Sequence, residues 1–389
     1  MVPLRFLETK RTIMNKFGFV RVTVASPICS VGNPEKNAET IIEIMDSVRD
    51  SDIVVFPELC ITGYTCGDLF RQQQLLKESE AAITKIVFEP CPVGQRSRYN
   101  LNQLVFVGAP VSVNNSLYNC AIALFNNRIV GIVPKENIPN YNEFYESRWF
   151  RGADGNEPKT IRYADQEVPF GKDLFFTIGD DVIVFAEICE DVWMPIPPSS
   201  FASIMGANIL VNLSASNETV AKCDYRTDLV KNQSGRCVAA YAYASAGPTE
   251  STTDVVFGGH CMIAENSHLL AETARVGDGG GLIRESKTAT ADVDVEKLQT
   301  ERRLLSSFGE SRKIINREYR HIELLSAMGV RNKSQHTGLL RKVSGTPFVP
   351  RDPATLKNRC AEIMGIQVAG LAKRIETIPS KKVVIGVSG

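Results

Sequence analysis

The sequence has only four histidines among its 389 residues: His260, His268, His321 and His336. No two of them stand at the close spacing of a pair of metal ligands, which argues against a metal site. The ten cysteines include no Cys-x-x-Cys pair, so neither a zinc site nor a dithiol redox motif is indicated. Cysteines scattered among apolar residues are typical of free thiols in a reducing cytoplasm, where we expect this protein to reside.

The chain also lacks a net charge and a long apolar run. Its 44 basic residues balance its 44 acidic residues, so neither a nucleic acid nor an anionic membrane is expected as a partner. Its apolar runs are shorter than the roughly 20 residues of a membrane span. Residues 1–16 are basic but lack the apolar core of a signal peptide, and we interpret them as a flexible leader.

Short apolar runs alternate with segments of helical periodicity over residues 17–295. Phe17–Ser26 and Asp52–Pro57 are typical of strands, whereas Asn33–Val48 carries apolar residues at helical spacing behind an Asn-Pro start. Asn126-Asn127 lies between two apolar runs and predicts a hairpin, and Tyr225–Val238 predicts a further helix. Strands, hairpins and helices therefore interleave, which favours an α/β layered fold with mixed sheets.

The segment Asp181–Trp193 delivers one cysteine at the end of a predicted buried strand. A run rich in Val, Ile and Phe leads to Cys189, and two acidic residues follow at once. Folds of the α/β class place their chemistry at strand ends. A lone cysteine is more often a small buried apolar residue, however. If Cys189 is a nucleophile, the scarcity of histidine indicates that its base is another kind of side chain.

Two further predicted strand ends deliver ionisable side chains. Glu58 stands between Pro57 and Leu59, and apolar surroundings raise the pKa of a carboxyl group and let it act as a base near neutral pH. Lys135 follows a strand that ends at Pro134. A solvated loop acid and a surface lysine are the ordinary interpretations. The functional interpretation is a base and a buried ammonium group that stabilises negative charge.

The order Glu58, Lys135, Cys189, each in its local context, resembles the nitrilase superfamily of carbon–nitrogen hydrolases. The matching motifs are Phe56-Pro-Glu58-Leu, Pro134-Lys135 with Asn140–Phe150, and Ile188-Cys189-Glu-Asp-Val-Trp193. The resemblance implies a four-layer αββα sandwich over residues 17–295. It also implies that Cys189 is the nucleophile, that Glu58 is the general base and acid, and that Lys135 stabilises the oxyanion.

Further motifs resemble, more narrowly, the glutaminase domain of the glutamine-dependent NAD synthetase family. They are Thr62-Gly-Tyr64, Cys66–Phe70 and Asn212–Ser216. This resemblance implies that L-glutamine is hydrolysed through a cysteine thioester without a cofactor. It implies glutamine-binding roles for Tyr141, Ser216 and Lys222, and a supporting role for Glu146 in orienting Lys135. Some family members have arginine where Lys222 stands, so lysine keeps the charge but weakens a bidentate carboxylate contact.

The composition changes after residue 295. Residues 296–350 are charge-dense and polar, and we interpret them as an extended linker. Residues 351–389 contain a helical pattern over Ala354–Ile375 and a predicted strand from Lys381 that enters a Ser-Gly turn. By resemblance, they begin an ATP-dependent synthetase domain, here incomplete, with Ser388 and Gly389 opening the loop that binds the pyrophosphate of ATP.

The resemblance also implies what happens to the released ammonia. In that family the synthetase domain uses ATP and magnesium to amidate nicotinic acid adenine dinucleotide to NAD. It implies a missing C-terminal synthetase domain as the partner of the glutaminase domain, and assembly into a homo-oligomer.

Three alternatives stay open on the sequence. A stand-alone amidase or carbamoylase of the same superfamily would keep the three strand-end residues without the glutamine specificity. A non-catalytic assembly module would keep them as a relic. A Cys–His hydrolase would use His260 or His268 as its base, although both are better interpreted as core or surface histidines.

Overall fold

The computed structural model describes residues 18–88, 103–252, 255–278, 284–324, 338–380 and 382–387. The chain divides into two compact units, Met1–Arg341 and Lys342–Gly389. The predicted leader and the predicted ATP-binding residues Ser388 and Gly389 lie outside the described residues. Within the described ranges, no helix is both long enough and apolar enough to cross a membrane.

Helices and strands interleave along the described residues. The helices are α1 (Pro34–Ser47), α2 (Gln73–Phe88), α3 (Pro198–Ile204), α4 (Lys222–Cys237), α5 (Val295–Leu304), α6 (Ser306–Ser311) and α7 (Pro353–Thr377). The strands are β1 (Phe19–Ser26), β2 (Ile53–Val55), β3 (Leu104–Val113), β4 (Ser116–Phe125), β5 (Arg128–Pro134), β6 (Asn140–Tyr141), β7 (Phe144–Tyr145), β8 (Thr160–Tyr163), β9 (Gln166–Pro169), β10 (Leu174–Ile178), β11 (Val182–Ile188), β12 (Ile209–Ser214), β13 (Ala240–Ser245), β14 (Met262–Glu265), β15 (His268–Glu272), β16 (Lys287–Asp294) and β17 (Arg320–Glu323). Short 3₁₀ helices cover Tyr64–Arg71, Glu146–Arg148, Cys189–Trp193 and Arg312–Ile314.

The strands of the first unit build two mixed sheets. The first sheet has the order β16-β1-β2-β3-β4-β5 and the second has the order β15-β14-β13-β12-β11-β10-β17. Parallel pairs lie at the centre of each sheet, β1-β2-β3 in the first and β11-β12-β13 in the second. Hairpins such as β3-β4-β5 extend the sheets with antiparallel pairs. The prediction of mixed sheets is confirmed.

The two sheets pack face to face, with helices covering their outer faces. The inward side chains of both sheets form one buried apolar cluster, in which the rings of Phe106 and Phe176 meet at a centroid distance of 5.4 Å. Helices α1 and α2 cover the first sheet with side chains such as Ile41 and Ile83. Helices α3 and α4 cover the second sheet with side chains such as Val230. The layer order is therefore αββα, which confirms the predicted four-layer sandwich.

The first unit continues past residue 295. Leu298 of α5 is buried, and Arg302 donates hydrogen bonds to the carbonyl oxygens of Ala207 (2.7 Å) and Val238 (3.0 Å), which follow α3 and α4. Strand β17 pairs with β10 and extends the second sheet by one strand. The compact unit reaches Arg341, beyond the domain end predicted at Val295 and into the linker predicted for residues 296–350. A half-exposed helix and an edge strand have the polar composition of a linker, which explains the difference.

The second unit contains α7, close to the predicted helix. Asp352 caps it by accepting a hydrogen bond from the backbone N–H of Thr355 at 2.7 Å, and Pro353 occupies its first turn. The strand predicted from Lys381 onward is not found over the described residues 382–387. A strand is stabilised by hydrogen bonds to a neighbouring strand, and the described part of this unit provides none. The apolar sequence pattern alone is therefore insufficient to form it.

Candidate active site

Three strand ends bring Glu58, Lys135 and Cys189 into one buried region. Glu58 comes three residues after β2 and Lys135 directly after β5, both in the first sheet, whereas Cys189 directly follows β11 of the second sheet. The backbone N–H of Glu58 donates to the carbonyl oxygen of Ser214 at the end of β12 (3.4 Å), which joins the two sheets at this point. Glu58 and Lys135 are 0% exposed and Cys189 is 7% exposed. The sandwich therefore surrounds these side chains with protein.

Lys135 lies between two carboxylates. Its Nζ is 2.6 Å from Glu58 Oε1, and it is 2.8 Å and 2.9 Å from the two carboxylate oxygens of Glu146. The hydroxyl of Tyr64 donates to Glu146 Oε1 at 2.8 Å. Burial by itself lowers the pKa of Lys135, but the charges of Glu146 and Glu58 outweigh it and raise that pKa well above its usual value. Lys135 is therefore a fixed ammonium group, and the structure places Glu146, the residue expected to orient it, in direct contact with it.

Glu58 has the environment of a base. Burial raises its pKa to about 7, and the charge of Glu146 adds to the rise, while the charge of Lys135 opposes it. Because Glu146 also neutralises Lys135, Glu58 can take up a proton without leaving a buried positive charge unpaired. Glu58 Oε2 is buried and accepts no hydrogen bond from the described residues. This oxygen is free to accept a proton near neutral pH.

Cys189 occupies a strained turn at the end of β11. Its backbone φ of 43° lies in the left-handed region, which is uncommon for residues other than glycine and is found at functional sites. Its N–H donates to Asn212 Oδ1 at 3.2 Å. Burial raises the pKa of the Cys189 thiol well above its usual value, and the charge of Glu58 adds to this, while that of Lys135 offsets only part. The resting sulfur is therefore a thiol that needs a base to become nucleophilic.

Asp191 holds the cysteine turn against the segment that carries Lys135. Its Oδ1 accepts hydrogen bonds from both the backbone N–H (2.9 Å) and the side-chain amide (2.8 Å) of Asn137. Its Oδ2 accepts one from the backbone N–H of Ile188 at 3.0 Å. Asp191 is buried. One carboxylate thus links the residue before Cys189 to the chain two residues after Lys135.

The structure puts two of the three predicted glutamine-binding residues on the polar approach to Cys189. Tyr141 is half exposed, and its hydroxyl donates to Glu190 Oε2 at 2.8 Å. Lys222 begins α4, and its Nζ lies 5.3 Å from the ring centroid of Trp193. Burial lowers the pKa of Lys222, and a negative charge on Cys189 raises it, so the ammonium group is within electrostatic range of the nucleophile.

Ser216, the third predicted glutamine-binding residue, has a different setting. It is buried, and its Oγ accepts a hydrogen bond from Arg226 Nη1 at 3.3 Å. Arg226 is itself buried and paired with Glu218 at 2.9 Å. The Ser216 hydroxyl therefore has an internal partner, and the guanidinium group behind it fixes its position.

A cavity of about 190 Å³ opens beside the Lys135 cluster. Its walls are mainly aromatic and acidic, and they include Tyr64, Glu143, Phe144, Glu146 and Trp149. Pockets for drug-sized ligands measure roughly 300–1,000 Å³. A cavity of this size suits a small polar molecule. Among the described residues, no group of three or more His, Cys, Asp or Glu side chains is arranged to hold a metal ion.

Several polar residues of the site, among them Asn119 and Arg226, were not identified from the sequence. Asn119 donates from Nδ2 to Glu58 Oε1 at 2.6 Å. Asn119 and Asn212 are single amides inside otherwise apolar strands, which is a detectable signal because a buried amide needs partners. Asp191 was noted as an acid after the cysteine, but its partner Asn137 lies 54 residues away in sequence.

Comparisons with known proteins agree on one family. The family model described as carbon-nitrogen hydrolase matches residues 23–303. The glutamine-dependent NAD(+) synthetase of Mycobacterium bovis is 38% identical over 379 residues, which are 96% of this chain and 53% of that protein. That of Thermotoga maritima is 27% identical over 95% of this chain and 56% of its own length. The chain thus spans about half the length of the curated relatives it matches.

Solved structures give the same result for the fold. The glutamine-dependent NAD(+) synthetase from Cytophaga hutchinsonii has a TM-score of 0.60 and 26% identity, covering 70% of this chain and 43% of that chain. A carbon-nitrogen hydrolase from Helicobacter pylori has a TM-score of 0.57 at 15% identity, covering 77% of this chain and 96% of its own. The second likeness concerns the fold alone.

Proposed function

Because the chain belongs to the carbon-nitrogen hydrolase family, we propose that it hydrolyses the side-chain amide of L-glutamine through a thioester on Cys189. The observation that carries this proposal is the Glu58 carboxylate beside the ammonium group of Lys135: its pKa is about 7, and one of its oxygens accepts no hydrogen bond from the described residues. A base, an oxyanion stabiliser and a thiol are the three groups that amide hydrolysis by a cysteine requires.

The reaction would proceed in two halves. Glu58 takes the proton of the Cys189 thiol as the sulfur attacks the amide carbon, and the resulting oxyanion is stabilised by Lys135 and by the backbone N–H of Glu190. Glu58 then gives its proton to the leaving ammonia as the C–N bond breaks, and a thioester remains. In the second half Glu58 takes a proton from water, whose oxygen attacks the thioester carbon. The C–S bond then breaks and Glu58 returns the proton to the sulfur, so the products are glutamate, ammonia and the free thiol.

Glutamine is the proposed substrate because of the groups around the approach to Cys189. The Lys222 ammonium suits the α-carboxylate of an amino acid, and Tyr141 offers a hydroxyl group for a hydrogen bond. Ser216 is buried and its Oγ accepts from Arg226, so it would take part through the hydroxyl hydrogen that it can still donate. The relatives named as glutamine-dependent NAD(+) synthetases support the same choice. Small aliphatic amides and carbamoyl compounds, the substrates of the alternative stand-alone enzymes, carry no carboxylate for Lys222, whose ammonium group donates to the uncharged side chain of Asn217.

We extend the proposal to the use of the ammonia. It would amidate nicotinic acid adenine dinucleotide to NAD in a synthetase domain that consumes ATP with magnesium, and Ser388 and Gly389 would open the loop that binds the pyrophosphate. Glutamine hydrolysis itself would need no cofactor, because the side chains of Glu58, Cys189 and Lys135 would supply the base, the nucleophile and the oxyanion stabiliser. The free cysteines among the described residues support a cytoplasmic location. We also propose a homo-oligomer.

The test is to incubate the chain with L-glutamine and measure ammonia and glutamate, which should appear in equal amounts. Cys189→Ala should abolish both products while leaving the melting temperature within about 2 °C. Cys237→Ala, which removes another buried thiol, is the matched control and should retain activity. Equal ammonia release by Cys189→Ala would overturn the nucleophile assignment. Turnover of small aliphatic amides but not of glutamine would favour the stand-alone amidase.

A further inference from the structure

We propose that Asn119 is a positioning residue that holds the base Glu58 by one carboxylate oxygen and reserves the other for the thiol proton. This inference rests on the proposed function, since it assigns a role within the same reaction. The juxtaposition that carries it is one buried amide group between the two carboxylates that flank Lys135.

Asn119 is the polar exception on the inward face of β4. Ala121 and Ala123 follow it on that face and belong to the apolar cluster between the sheets, whereas Asn119, the fourth residue of β4, is completely buried beside Glu58. Its backbone carbonyl oxygen accepts a hydrogen bond from the N–H of Lys135 at 2.9 Å. The main chain at position 119 thus anchors the strand end that carries the lysine, independently of the side chain.

The side-chain amide of Asn119 contacts both acids. Its Nδ2 is 2.6 Å from Glu58 Oε1 and 3.4 Å from Glu146 Oε2, so its two hydrogens serve two carboxylates. The opposite orientation would turn the carbonyl oxygen toward both acids, which offer no hydrogen when ionised. The two carboxylates therefore determine the orientation of the amide, and the amide in turn fixes the distance between them.

The donors around Glu58 are distributed unequally. Oε1 accepts from both Asn119 and Lys135, each at 2.6 Å, whereas Oε2 is buried and accepts from none of the described residues. With Oε1 held by two donors, Oε2 keeps its lone pairs for the proton of Cys189. If the Asn119 donor were removed, Oε1 would keep only the Lys135 donor among the described residues, and the carboxylate would be held less firmly in the orientation that leaves Oε2 free.

The same hydrogen bond sets the pH range of the base. The charged and titratable groups that face Glu58 are Lys135 after β5, Glu146 after β7 and Cys189 after β11, with Tyr64 behind Glu146. Against the burial and the charge of Glu146, Lys135 and Asn119 favour the ionised carboxylate. Removing the amide therefore raises the pKa of Glu58 and moves the active form of the base to higher pH.

The experiment compares the pH profiles of kcat/KM for glutamine in Asn119→Ala, Asn119→Asp and Gln103→Ala. In Asn119→Ala the rising limb should move up by about one pH unit, giving about tenfold lower activity near pH 6 and nearly unchanged activity near pH 9. Asn119→Asp has the same shape but adds a negative charge, so its limb should move further. Gln103 is another buried amide of the same sandwich, donating to the Val48 carbonyl at 2.7 Å. Its loss should lower the melting temperature without moving the limb.

A second readout works without glutamine. The rate at which iodoacetamide alkylates Cys189, followed by peptide mass spectrometry, should show the same shift in pH between the wild type and the two Asn119 variants. If glutamine is not hydrolysed by the wild type but this shift is present, the proposed substrate fails and the role of Asn119 stands. The proposal is overturned if each variant loses activity by the same factor at every pH and the pH dependence of the alkylation rate is unchanged. Asn119 would then have a merely structural role.

Discussion

At the scale of single residues, the site is governed by an imbalance of charge. One ammonium group, Lys135, faces two carboxylates, Glu58 and Glu146, in a region from which solvent is excluded. One carboxylate suffices to neutralise the lysine, so the second is the one whose ionisation is opposed by burial. The distribution of hydrogen bonds identifies Glu58 as that second carboxylate, because Glu146 accepts donors on both oxygens while Glu58 accepts them on one.

The raised pKa of Glu58 predicts a pH-dependent effect on stability. The folded state binds this proton up to about pH 7, and the unfolded chain releases it near 4.5, so the stability contributed by this group falls as pH rises through that window. At pH 8 the ionised group costs on the order of 3 kcal/mol. Glu58→Gln should therefore raise the melting temperature at pH 8 by about 2–5 °C, leave it nearly unchanged at pH 5, and abolish hydrolysis. Scanning calorimetry at the two pH values measures this.

The matched control is Glu146→Gln, which removes the main counter-ion of Lys135 and should lower the melting temperature at pH 8. This account of the base would be contradicted if Glu58→Gln melted below the wild type at pH 8. It would also be contradicted if the melting temperatures of variant and wild type differed by the same amount at pH 5 and pH 8.

At the scale of elements, the nucleophile and the lysine are held together by a short 3₁₀ helix. The turn Cys189–Trp193 presents Asp191 to the segment after β5. Since β5 and β11 belong to different sheets, their ends have no ladder of backbone hydrogen bonds between them. The Asp191 carboxylate supplies that connection through Asn137 and Ile188. The Asp191 side chain thus helps to set the distance between the reacting sulfur and the oxyanion stabiliser.

We expect Asp191→Asn to reduce kcat/KM for glutamine about 10- to 100-fold, because a misplaced catalytic group costs that much in rate. The substitution keeps the size of the side chain but turns one acceptor into a donor, which faces N–H groups. Steady-state kinetics at saturating and limiting glutamine measure the effect. Asp173→Asn is the control: Asp173 pairs with Arg320 at 2.6 Å in support of β17, and its loss should affect stability more than rate. Equal values of kcat/KM for the wild type and Asp191→Asn would contradict this role of Asp191.

At the scale of the whole molecule, the sandwich is completed by residues late in the chain. Strand β17 extends the second sheet at its β10 edge, and the ring of Tyr319 stacks on Phe175 at a centroid distance of 4.1 Å. Arg302 of α5 reaches the chain that follows α3 and α4, and burial lowers the pKa of its guanidinium group to about 10. Arg341 pairs with the buried Glu265 at 2.6 Å. The unit that surrounds the active site therefore depends on chain well beyond residue 295.

Two shortened chains test this boundary. A chain that ends at Arg341 should keep the melting temperature within about 2 °C and the full rate of glutamine hydrolysis, since the residues of the first unit are retained. A chain that ends at Val295 loses α5, β17 and the Arg302 bonds, and should melt at least about 10 °C lower or aggregate. Calorimetry and an ammonia assay on both chains check this. If the shorter chain matches the longer one, α5 and β17 are dispensable.

The α/β class with mixed sheets and the three strand-end residues could be predicted from the sequence because they depend on local patterns, whereas the four-layer sandwich was expected from the family resemblance. Buried strands have continuous apolar runs, so the residue after each run is identifiable as Glu58, Lys135 or Cys189 without knowledge of the partner strand. Helices α1 and α4 lie within a few residues of their predictions, since helical periodicity and caps are also local.

The remaining features depended on contacts between distant residues. The hydrogen bond from Asn119 to Glu58 joins residues 61 positions apart, and no local pattern indicates it. The late strand β17 has the polar composition of a linker because it lies at a sheet edge, whereas the apolar residues 382–387 form no strand, because strand formation depends on a neighbour. The sequence by itself determined which ionisable groups stand at strand ends. Only the tertiary structure decided which carboxylate is free to accept a proton, because the pKa and hydrogen bonding of a buried acid depend on everything packed around it.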